Sequence, residues 1–242
     1  MSKPQRITGR IPALECLRVR KRRARRLFLL AGGKGLDPLR AAAASIPIEE
    51  CERRRLDQLS GGDIHQGVVL EADPLPVLTP GEWLASPLAE DAIAVVLDGI
   101  VDPHNFGAIV RPAVAFGAAG IVFAQDRSAP LSPAAVKSAA GAMEHADLVR
   151  APNLVRALKQ LKDAGFWVAG LDLEGAETLW DAKLDGRIAL VAGGEGKGMR
   201  RLVREHCDFL VKIPTTGPIG VLNASASAAV ALAECARQRA RT

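Results

Sequence analysis

The sequence lacks tyrosine and has few other aromatic residues, with six Phe and three Trp in 242 residues. This scarcity leaves few flat side chains on which nucleic-acid bases can stack, so any recognition of a nucleic acid should rest on backbone and shape contacts. Long apolar runs are also missing. The most apolar late stretch, residues 224–236, contains Ser225, Ser227 and Glu234 and is shorter than the roughly 20 residues of a membrane span. We interpret it as a buried helix rather than a membrane segment.

Cysteine is scarce as well, and the four that are present form no CxxC pair and no metal-ligand spacing with the four His. Reduced thiols in a cytoplasmic protein fit this pattern best, and no metal site is expected. The basic residues at the N-terminus have no apolar stretch behind them, so no secretory signal peptide is visible.

Basic residues are concentrated at one end of the chain. Residues 1–73 hold 15 Lys and Arg against 9 Asp and Glu, a net charge of +6, whereas residues 74–242 hold 17 against 18. Much of the excess lies in residues 18–26, where seven of nine residues are basic. Such a run can bind a polyanion such as nucleic acid, or it can be the solvated end of a helix and the following loop.

Apolar patterning divides the chain into a small α/β unit at residues 1–73, a proline-rich linker at 74–90, and a larger α/β domain at 91–242. In the larger domain, apolar runs predict strands at 93–97, 120–124, 166–169, 188–191 and 209–213. Helical spacing predicts helices at about 105–117, 133–142, 153–164, 199–205 and 222–239. Strands that are apolar on both faces and alternate with helices indicate a parallel sheet covered on both sides. Ligands of such sheets bind in the loops after the strands.

The first unusual loop follows the strand at 93–97 and reads DPHNFG at residues 102–107. Its Asp-Pro pair can start a turn, and Asn105 can cap the helix that follows. Arg111 lies six residues further on and, by spacing alone, is a surface arginine of an amphipathic helix. Pro112 removes one helical hydrogen bond and should kink that helix.

The second loop, residues 192–199, reads AGGEGKGM, and its four glycines permit close backbone approach to a ligand. Lys197 is followed by Gly198 rather than Ser or Thr, so the loop fails the phosphate-loop pattern, and it also fails GxGxxG. Glu195 is acidic where a phosphate cradle would avoid negative charge. A nucleotide polyphosphate is therefore disfavoured as the ligand.

The third loop, residues 212–225, reads KIPTTGPIGVLNAS and precedes an alanine-rich helix. Small residues on that helix allow another backbone to pack closely against it. Asn223 lies near the start of the helix and is either its cap or a site residue.

Taken together and in this order, the three loops resemble the three motifs of the SpoU/TrmH family of SPOUT-superfamily RNA ribose 2′-O-methyltransferases. Residues 102–111 resemble motif 1, residues 193–198 motif 2, and residues 213–225 motif 3. Gly9-Arg10 and His65-Gln66-Gly67 resemble parts of the family's small RNA-substrate-binding domain. The resemblance covers nearly the whole chain except the linker.

The resemblance implies a trefoil knot in the domain at 91–242 and an RNA-binding domain at 1–73. It implies S-adenosylmethionine bound between the second and third loops, without a metal, and a homodimer formed through small-residue helices such as 224–236. The residues that match the family's cofactor contacts are Gly193, Gly194, Gly196, Ile213, Leu222 and Asn223.

The resemblance also assigns activation of the ribose 2′-hydroxyl to Arg111. A guanidinium is not deprotonated in proteins, so we expect Arg111 to clamp the neighbouring phosphate and to stabilise charge on the 2′-oxygen. Asn105 and Asn223 would orient the substrate and the arginine, and Glu195 would order the second loop. The basic residues expected to grip RNA are Arg10, Arg18, Arg20, Lys21, Arg22 and Arg23.

Three positions depart from the family pattern. Val221 replaces a serine of the substrate site, Pro112 replaces Ser or Thr, and Thr215 replaces Met. The leading prediction is S-adenosylmethionine-dependent methylation of a ribose 2′-hydroxyl in structured RNA, by analogy a guanosine of large-subunit ribosomal RNA. The alternatives are a non-catalytic RNA-binding or ribosome-assembly factor that keeps the fold, and a 2′-O-methyltransferase that acts on transfer RNA.

Overall fold

The computed structural model describes residues 4–126, 128, 131–196, 198–218 and 220–240. They form two compact units. The first contains the described residues up to Pro76 together with Leu131–His145, and the second contains the remaining described residues. In the described part of the chain, no helix is long and apolar enough to cross a lipid bilayer.

The first unit is built on a mixed sheet in the order β1-β4-β2-β3, in which only β2 and β3 run parallel. Its strands are apolar where they meet, for example at the buried pair Leu27 and Leu70. The helical spacing of residues 11–17 and the apolar runs at 27–31 and 67–70 agree with a helix and two strands of this unit. The elements up to residue 72 are β1 (Gln5–Thr8), α1 (Arg10–Val19), β2 (Ala24–Leu30), α2 (Asp37–Ala42), β3 (Ile48–Cys51), α3 (Arg53–Ser60) and β4 (Val68–Ala72).

From residue 77 onward, strands and helices alternate. The elements are α4 (Pro80–Leu84), β5 (Ile93–Asp98), α5 (Pro103–Ala115), β6 (Gly120–Ala124), α6 (Pro133–Ser138), β7 (Leu148–Ala151), α7 (Leu154–Asp163), β8 (Trp167–Leu171), β9 (Glu177–Thr178), β10 (Ile188–Gly193), α8 (Arg201–Glu205), β11 (Phe209–Lys212) and α9 (Ala224–Arg239). Helix α5 continues three residues beyond Pro112.

The strands of the second unit form one sheet in the order β7-β6-β5-β10-β8-β11-β9, and every neighbouring pair is parallel. Every residue of β5 is buried, as expected for a strand covered on both faces. Helix α7 contacts β8, α4 and α8, while α9 contacts β10 and α5. The predicted α/β parallel sheet is confirmed, although β7 and β9 were not predicted. The trefoil knot stays a prediction.

The segment predicted to be a linker contains the helix α4. Thr79 and Glu82 form a reciprocal capping box, with Glu82 Oε2 2.8 Å from the Thr79 amide and Thr79 Oγ1 3.3 Å from the Glu82 amide. Trp83 is fully buried in the core of the second unit. The Trp83 ring packs directly against Gly120. A Cβ at that position would lie only 2.5 Å from Trp83 Cζ2 and would clash with the ring. The proline-rich stretch therefore contains a capped helix that the sequence did not predict, and its role as a linker stays a prediction.

Residues 131–145 return to the first unit, although β6 and β7 on either side belong to the second. Glu144 is 1% exposed and accepts hydrogen bonds from Arg22 Nη2 at 2.5 Å and Nε at 3.1 Å. His145 Nε2 lies 2.8 Å from Glu15 Oε2 at the surface. The sequence placed this segment in the domain at 91–242 and gave no sign of the return. The predicted domain boundaries stay a prediction.

Candidate active site

Two neighbouring parallel strands, β5 and β10, end at the same edge of the sheet and carry the first and second loops. Asp98 ends β5 in register with Gly193 at the end of β10. The buried Asp98 carboxylate accepts hydrogen bonds from the Arg200 backbone amide at 2.7 Å and from Arg200 Nε at 2.6 Å. Because Arg200 immediately follows residues 193–199, here called the glycine loop, Asp98 holds both ends of that loop.

The glycine loop folds back on itself, since the Gly198 amide donates to the Gly194 carbonyl at 3.0 Å. A Cβ on Gly193 would lie 2.3 Å from the Gly198 carbonyl carbon, and one on Gly194 would lie 2.3 Å from the Gly99 oxygen. Close backbone packing therefore requires glycine at both positions. By contrast, nothing among the described residues lies within 4 Å of a Cβ on Gly196 or Gly198. Both have positive φ, 77° and 61°, and the tip of the loop is open to a ligand.

One residue from each of the three loops joins a hydrogen-bonded group, which we call the motif triad. Glu195 Oε1 accepts from Asn105 Nδ2 at 3.0 Å and from Asn223 Nδ2 at 2.5 Å. Asn223 Nδ2 also lies 3.2 Å from Asn105 Oδ1. The triad therefore ties the glycine loop to α5 and to the start of α9, as the predicted roles of these residues require.

The two asparagines of the triad differ in their capping roles. Asp102, not Asn105, caps α5, because its side chain accepts from the His104 amide at 2.9 Å. The amide of Asn105 is thus available to Glu195. Asn223 does cap α9, since Oδ1 accepts from the Ser225 amide at 2.7 Å, and its Nδ2 serves the triad at the same time. Of the two interpretations that the sequence left open for Asn223, the helix cap is confirmed, and its role as a site residue stays a prediction.

Arg111 lies on α5, about 9 Å along the helix axis from Asn105 by helix geometry. It is exposed and forms no hydrogen bond or ion pair within the described part of the chain. The sequence interpretation of a surface arginine is correct for the isolated chain. An exposed guanidinium without a partner keeps all five N–H donors for a ligand.

The third loop, between β11 and α9, is mostly exposed. Thr215 Oγ1 donates to the Gly220 carbonyl at 3.2 Å. Ile213 is half-buried, whereas Val221 is 61% and Leu222 37% exposed. The Glu195–Asn223 hydrogen bond joins this loop to the glycine loop. Lys197 and Ile219 lie outside the described residues.

The basic run of the first unit is divided between surface and interior. Arg22 is buried with Glu144, and its Nη1 donates to Gln5 Oε1 at 3.0 Å and to the Asp73 carbonyl at 3.2 Å. Its inclusion among the RNA-gripping residues is therefore corrected, because its guanidinium does not reach solvent. The other members of the predicted set are exposed or half-buried: Arg10, Arg18, Arg20, Lys21 and Arg23.

Sequence reasoning missed the Asp98–Arg200 pair. A signal was present in the sequence, because Asp98 is an acidic residue that ends an otherwise apolar strand. Its partner was invisible, since Arg200 lies 102 residues away. A carboxylate buried in a sheet needs a hydrogen-bonding or cationic partner, so the position of Asp98 could have predicted that one exists, but not which residue it is.

A buried thiol in the first unit and a half-buried thiol in the second have raised pKa values. Burial, with a smaller contribution from the Glu144 carboxylate, raises the pKa of Cys16 to about 11. Burial likewise raises the pKa of Cys207, which lies 4.0 Å from Met199 Sδ, to about 12. Both stay protonated at neutral pH, so neither is a nucleophile for the site.

A parallel α/β sheet whose loops at the carboxyl ends of its strands are joined by a polar triad is a suitable site for a ligand. Residues 92–233 match the model of the SpoU rRNA Methylase family, and residues 6–78 match that of RNA 2′-O ribose methyltransferase substrate binding. The chain belongs to the SpoU rRNA methylase family.

Relatives agree with this assignment. The chain is 40% identical to the 23S rRNA (guanosine-2′-O-)-methyltransferase RlmB of Pseudomonas putida, over 99% of this chain and 98% of that protein. It is 43% identical to an uncharacterized tRNA/rRNA methyltransferase of Mycolicibacterium vanbaalenii, over 96% of this chain and 76% of that protein. The SpoU methyltransferase AviRb of Streptomyces viridochromogenes, solved with AdoMet, has the same fold. Its TM-score is 0.83 at 24% identity, over 99% of this chain and 92% of AviRb. The predicted family and the enzyme class are confirmed.

Proposed function

We propose that this protein transfers a methyl group from S-adenosylmethionine to the ribose 2′-hydroxyl of a guanosine in 23S ribosomal RNA. The motif triad carries the proposal, because Asn105, Glu195 and Asn223 bring the three family loops to one place. The P. putida relative, which aligns over nearly the whole of both chains, supports guanosine as the target.

The site suits S-adenosylmethionine. The open backbone at Gly196 and Gly198 can approach a polar ligand closely, and the exposed side chains of Val221 and Leu222 offer apolar contacts. The residues proposed to hold the cofactor are Gly193, Gly194, Gly196, Ile213, Leu222 and Asn223. When bound, the cofactor supplies an electrophilic methyl group on a sulfonium.

The protein's part in the chemistry is positioning and charge stabilisation. Arg111 is proposed to bind the phosphate beside the target ribose and to stabilise negative charge on the 2′-oxygen. As the oxygen bonds to the methyl carbon, the bond from that carbon to the sulfonium sulfur would break and the hydroxyl proton would pass to water. Because a guanidinium cannot accept the hydroxyl proton, Arg111 is not a general base. Glu195 holds the two asparagine amides, and Asn105 and Asn223 orient the substrate and the arginine.

The test combines calorimetric titration with S-adenosylmethionine and mass spectrometry of nucleosides from treated RNA. We expect cofactor binding and 2′-O-methylguanosine in large-subunit ribosomal RNA. Methylated product in transfer RNA alone would contradict the assignment of ribosomal RNA as the substrate. Comparison of ribose-methylation maps from cells with and without the gene then locates the nucleotide.

A non-catalytic RNA-binding factor is the second candidate, and the exposed Val221 favours it because a valine offers no hydrogen bond at a substrate-site position. Cofactor binding without any 2′-O-methyl product on total RNA would support this candidate. In that case Val221→Ser, which restores the hydroxyl, should produce measurable turnover.

We also propose a cytoplasmic homodimer. Helix α9 packs on α5, yet Ala229, Val230 and Ala233 remain half-buried and can contact a second copy. The free cysteines in the described part of the chain suit a reducing compartment. Sedimentation equilibrium at micromolar concentration should give twice the mass of the chain, and a monomer there would contradict the dimer.

A further inference from the structure

Two separate segments that resemble the substrate-binding domain meet in the first unit. The backbone amide of Arg10 donates to Gln66 Oε1 at 3.1 Å, and Arg10 Nε donates to the Gln66 carbonyl at 3.1 Å. Gln66 has φ of 54°, a left-handed conformation that is costly for a residue with a side chain. The strained residue Gln66 is also the residue that fixes Arg10. Backbone strain of this kind is often found at binding sites, so this place is a candidate for one.

Both segments line one pocket with a volume of about 730 Å³, to which Arg10, Gln66 and Gly67 contribute. Drug-sized and nucleotide-sized ligands occupy pockets of roughly 300–1,000 Å³. Ile11 and Ile64 also line it and are 59% and 73% exposed. These two side chains give the pocket an apolar wall that a ligand can cover.

The pocket is lined by two arginines and two aspartates, so an anion can bind only on its arginine side. Its two arginines are Arg10 and Arg53, and Arg53 is exposed and forms no hydrogen bond or ion pair with the described residues. The acidic lining residues are already engaged. Asp57 Oδ1 lies 3.0 Å from His65 Nε2, and Asp63 Oδ1 lies 3.6 Å from Lys137 Nζ.

Arg10 is held in a fixed orientation. Besides Gln66, its Nη2 donates to the Lys34 carbonyl at 3.0 Å. These side-chain bonds use two of the five guanidinium N–H groups, and the remaining donors are available to a ligand. A preorganised guanidinium loses little conformational entropy when it binds a phosphate.

We propose that this pocket binds one unpaired nucleotide of the RNA substrate, at a distance in sequence from the methyl-transfer loops. The base lies against Ile11 and Ile64, and its phosphate is held by Arg10 and Arg53. A base inside a duplex is stacked and cannot enter, so the pocket selects unpaired RNA. Aliphatic walls replace the aromatic platforms that this sequence lacks. The inference rests on the proposed function, since it takes RNA as the substrate.

The test measures binding of the full-length protein to a short mixed-sequence single-stranded RNA and to a duplex of the same sequence, by fluorescence anisotropy across a salt series. Ile64→Asp should weaken single-strand binding by at least about fivefold. Arg53→Ala should lower the slope of log affinity against log salt by about 0.7. Duplex affinity should change less in both variants.

Two matched variants serve as controls. Arg54 is the exposed neighbour of Arg53 on α3, and Ile48 is 38% exposed on β3, but neither lines the pocket. Arg54→Ala and Ile48→Asp should keep the wild-type preference for single strands. If the pocket variants match these controls while the wild type methylates ribosomal RNA, the pocket proposal is wrong and the proposed function stands. If the wild type yields no methylated product, the proposed function fails instead.

Discussion

The polar side chains of the two proposed sites are arranged differently. In the second unit they bind one another, as in the Asp98–Arg200 pair and the motif triad, and Arg111 is left open beside them. In the first unit most of the basic residues are exposed, and Arg22 is the buried exception. A methyl-transfer site needs its groups fixed before the substrate arrives, whereas an RNA-binding surface needs accessible charge. The comparison predicts that substitutions in the second unit impair chemistry and those on the first unit's surface impair RNA affinity.

The largest effect should come from Gly193→Ala. The added Cβ would lie 2.3 Å from the Gly198 carbonyl carbon, so the glycine loop must move and the cofactor contacts are lost. We expect no S-adenosylmethionine binding by calorimetry, with RNA affinity close to wild type. Gly186→Ala is the control, because nothing among the described residues lies within 4 Å of its Cβ. Normal cofactor affinity in Gly193→Ala would contradict the role given to this close packing.

Arg22→Met tests the comparison in the first unit. It removes one charge of the basic run, but that charge is buried, so the accessible surface of the run does not change. The loss of Arg22 leaves Glu144 as an unpaired buried charge, and we expect about 3–5 kcal/mol of destabilisation in urea unfolding. A second change, Glu144→Met, should recover part of that loss. A stable Arg22→Met variant with weakened RNA binding would show that the residue acts at the surface.

Arg23→Met is the matched substitution at an exposed position of the same run. Stability should stay within about 0.5 kcal/mol of wild type, while the salt slope of RNA binding falls by about one. If Arg22→Met and Arg23→Met gave the same result, the division of the run into interior and surface would be wrong.

Arg111→Lys tests the chemistry of the second unit. A lysine keeps the charge but loses the planar, two-pronged donor set, and we expect turnover to fall about a hundredfold. Cofactor affinity and stability should not change, because Arg111 is exposed and has no partner among the described residues. Arg156→Lys, at an exposed position of α7, is the control. Near-normal turnover in Arg111→Lys would rule out the phosphate clamp.

Sequence alone located the three loops and the parallel sheet, since both depend on local requirements. Gly193 and Gly194 are required by close backbone contacts, and apolar strands such as β5 need cover on both faces. Pairings over long separations were not predictable. Arg22 resembles its basic neighbours locally, and only Glu144, 122 residues away, makes it structural. The burial of Trp83 was not predicted, because the prolines around it indicated a linker rather than the capped helix that is present.

Two thiols with raised pKa values, Cys16 in the first unit and Cys207 in the second, report on the interiors of the two units. Burial raises the pKa of Cys16 to about 11 and that of Cys207 to about 12, above the ordinary thiol value. Above pH 9 the unfolded chain loses these protons while the native protein keeps them. Their stabilising contribution is therefore complete below the unfolded pKa and declines as the pH rises toward 11 and 12.

We expect the free energy of unfolding, measured in urea, to be about 1–2 kcal/mol lower at pH 10.5 than at pH 8. The absence of tyrosine removes one group that would otherwise titrate in this range. A variant with both Cys16→Ala and Cys207→Ala should lose much of this pH dependence, because alanine has no proton to release. Each single variant then assigns a share of the effect to one unit. A midpoint that stays constant in the wild type would show that the thiols are more accessible to water than the structure places them.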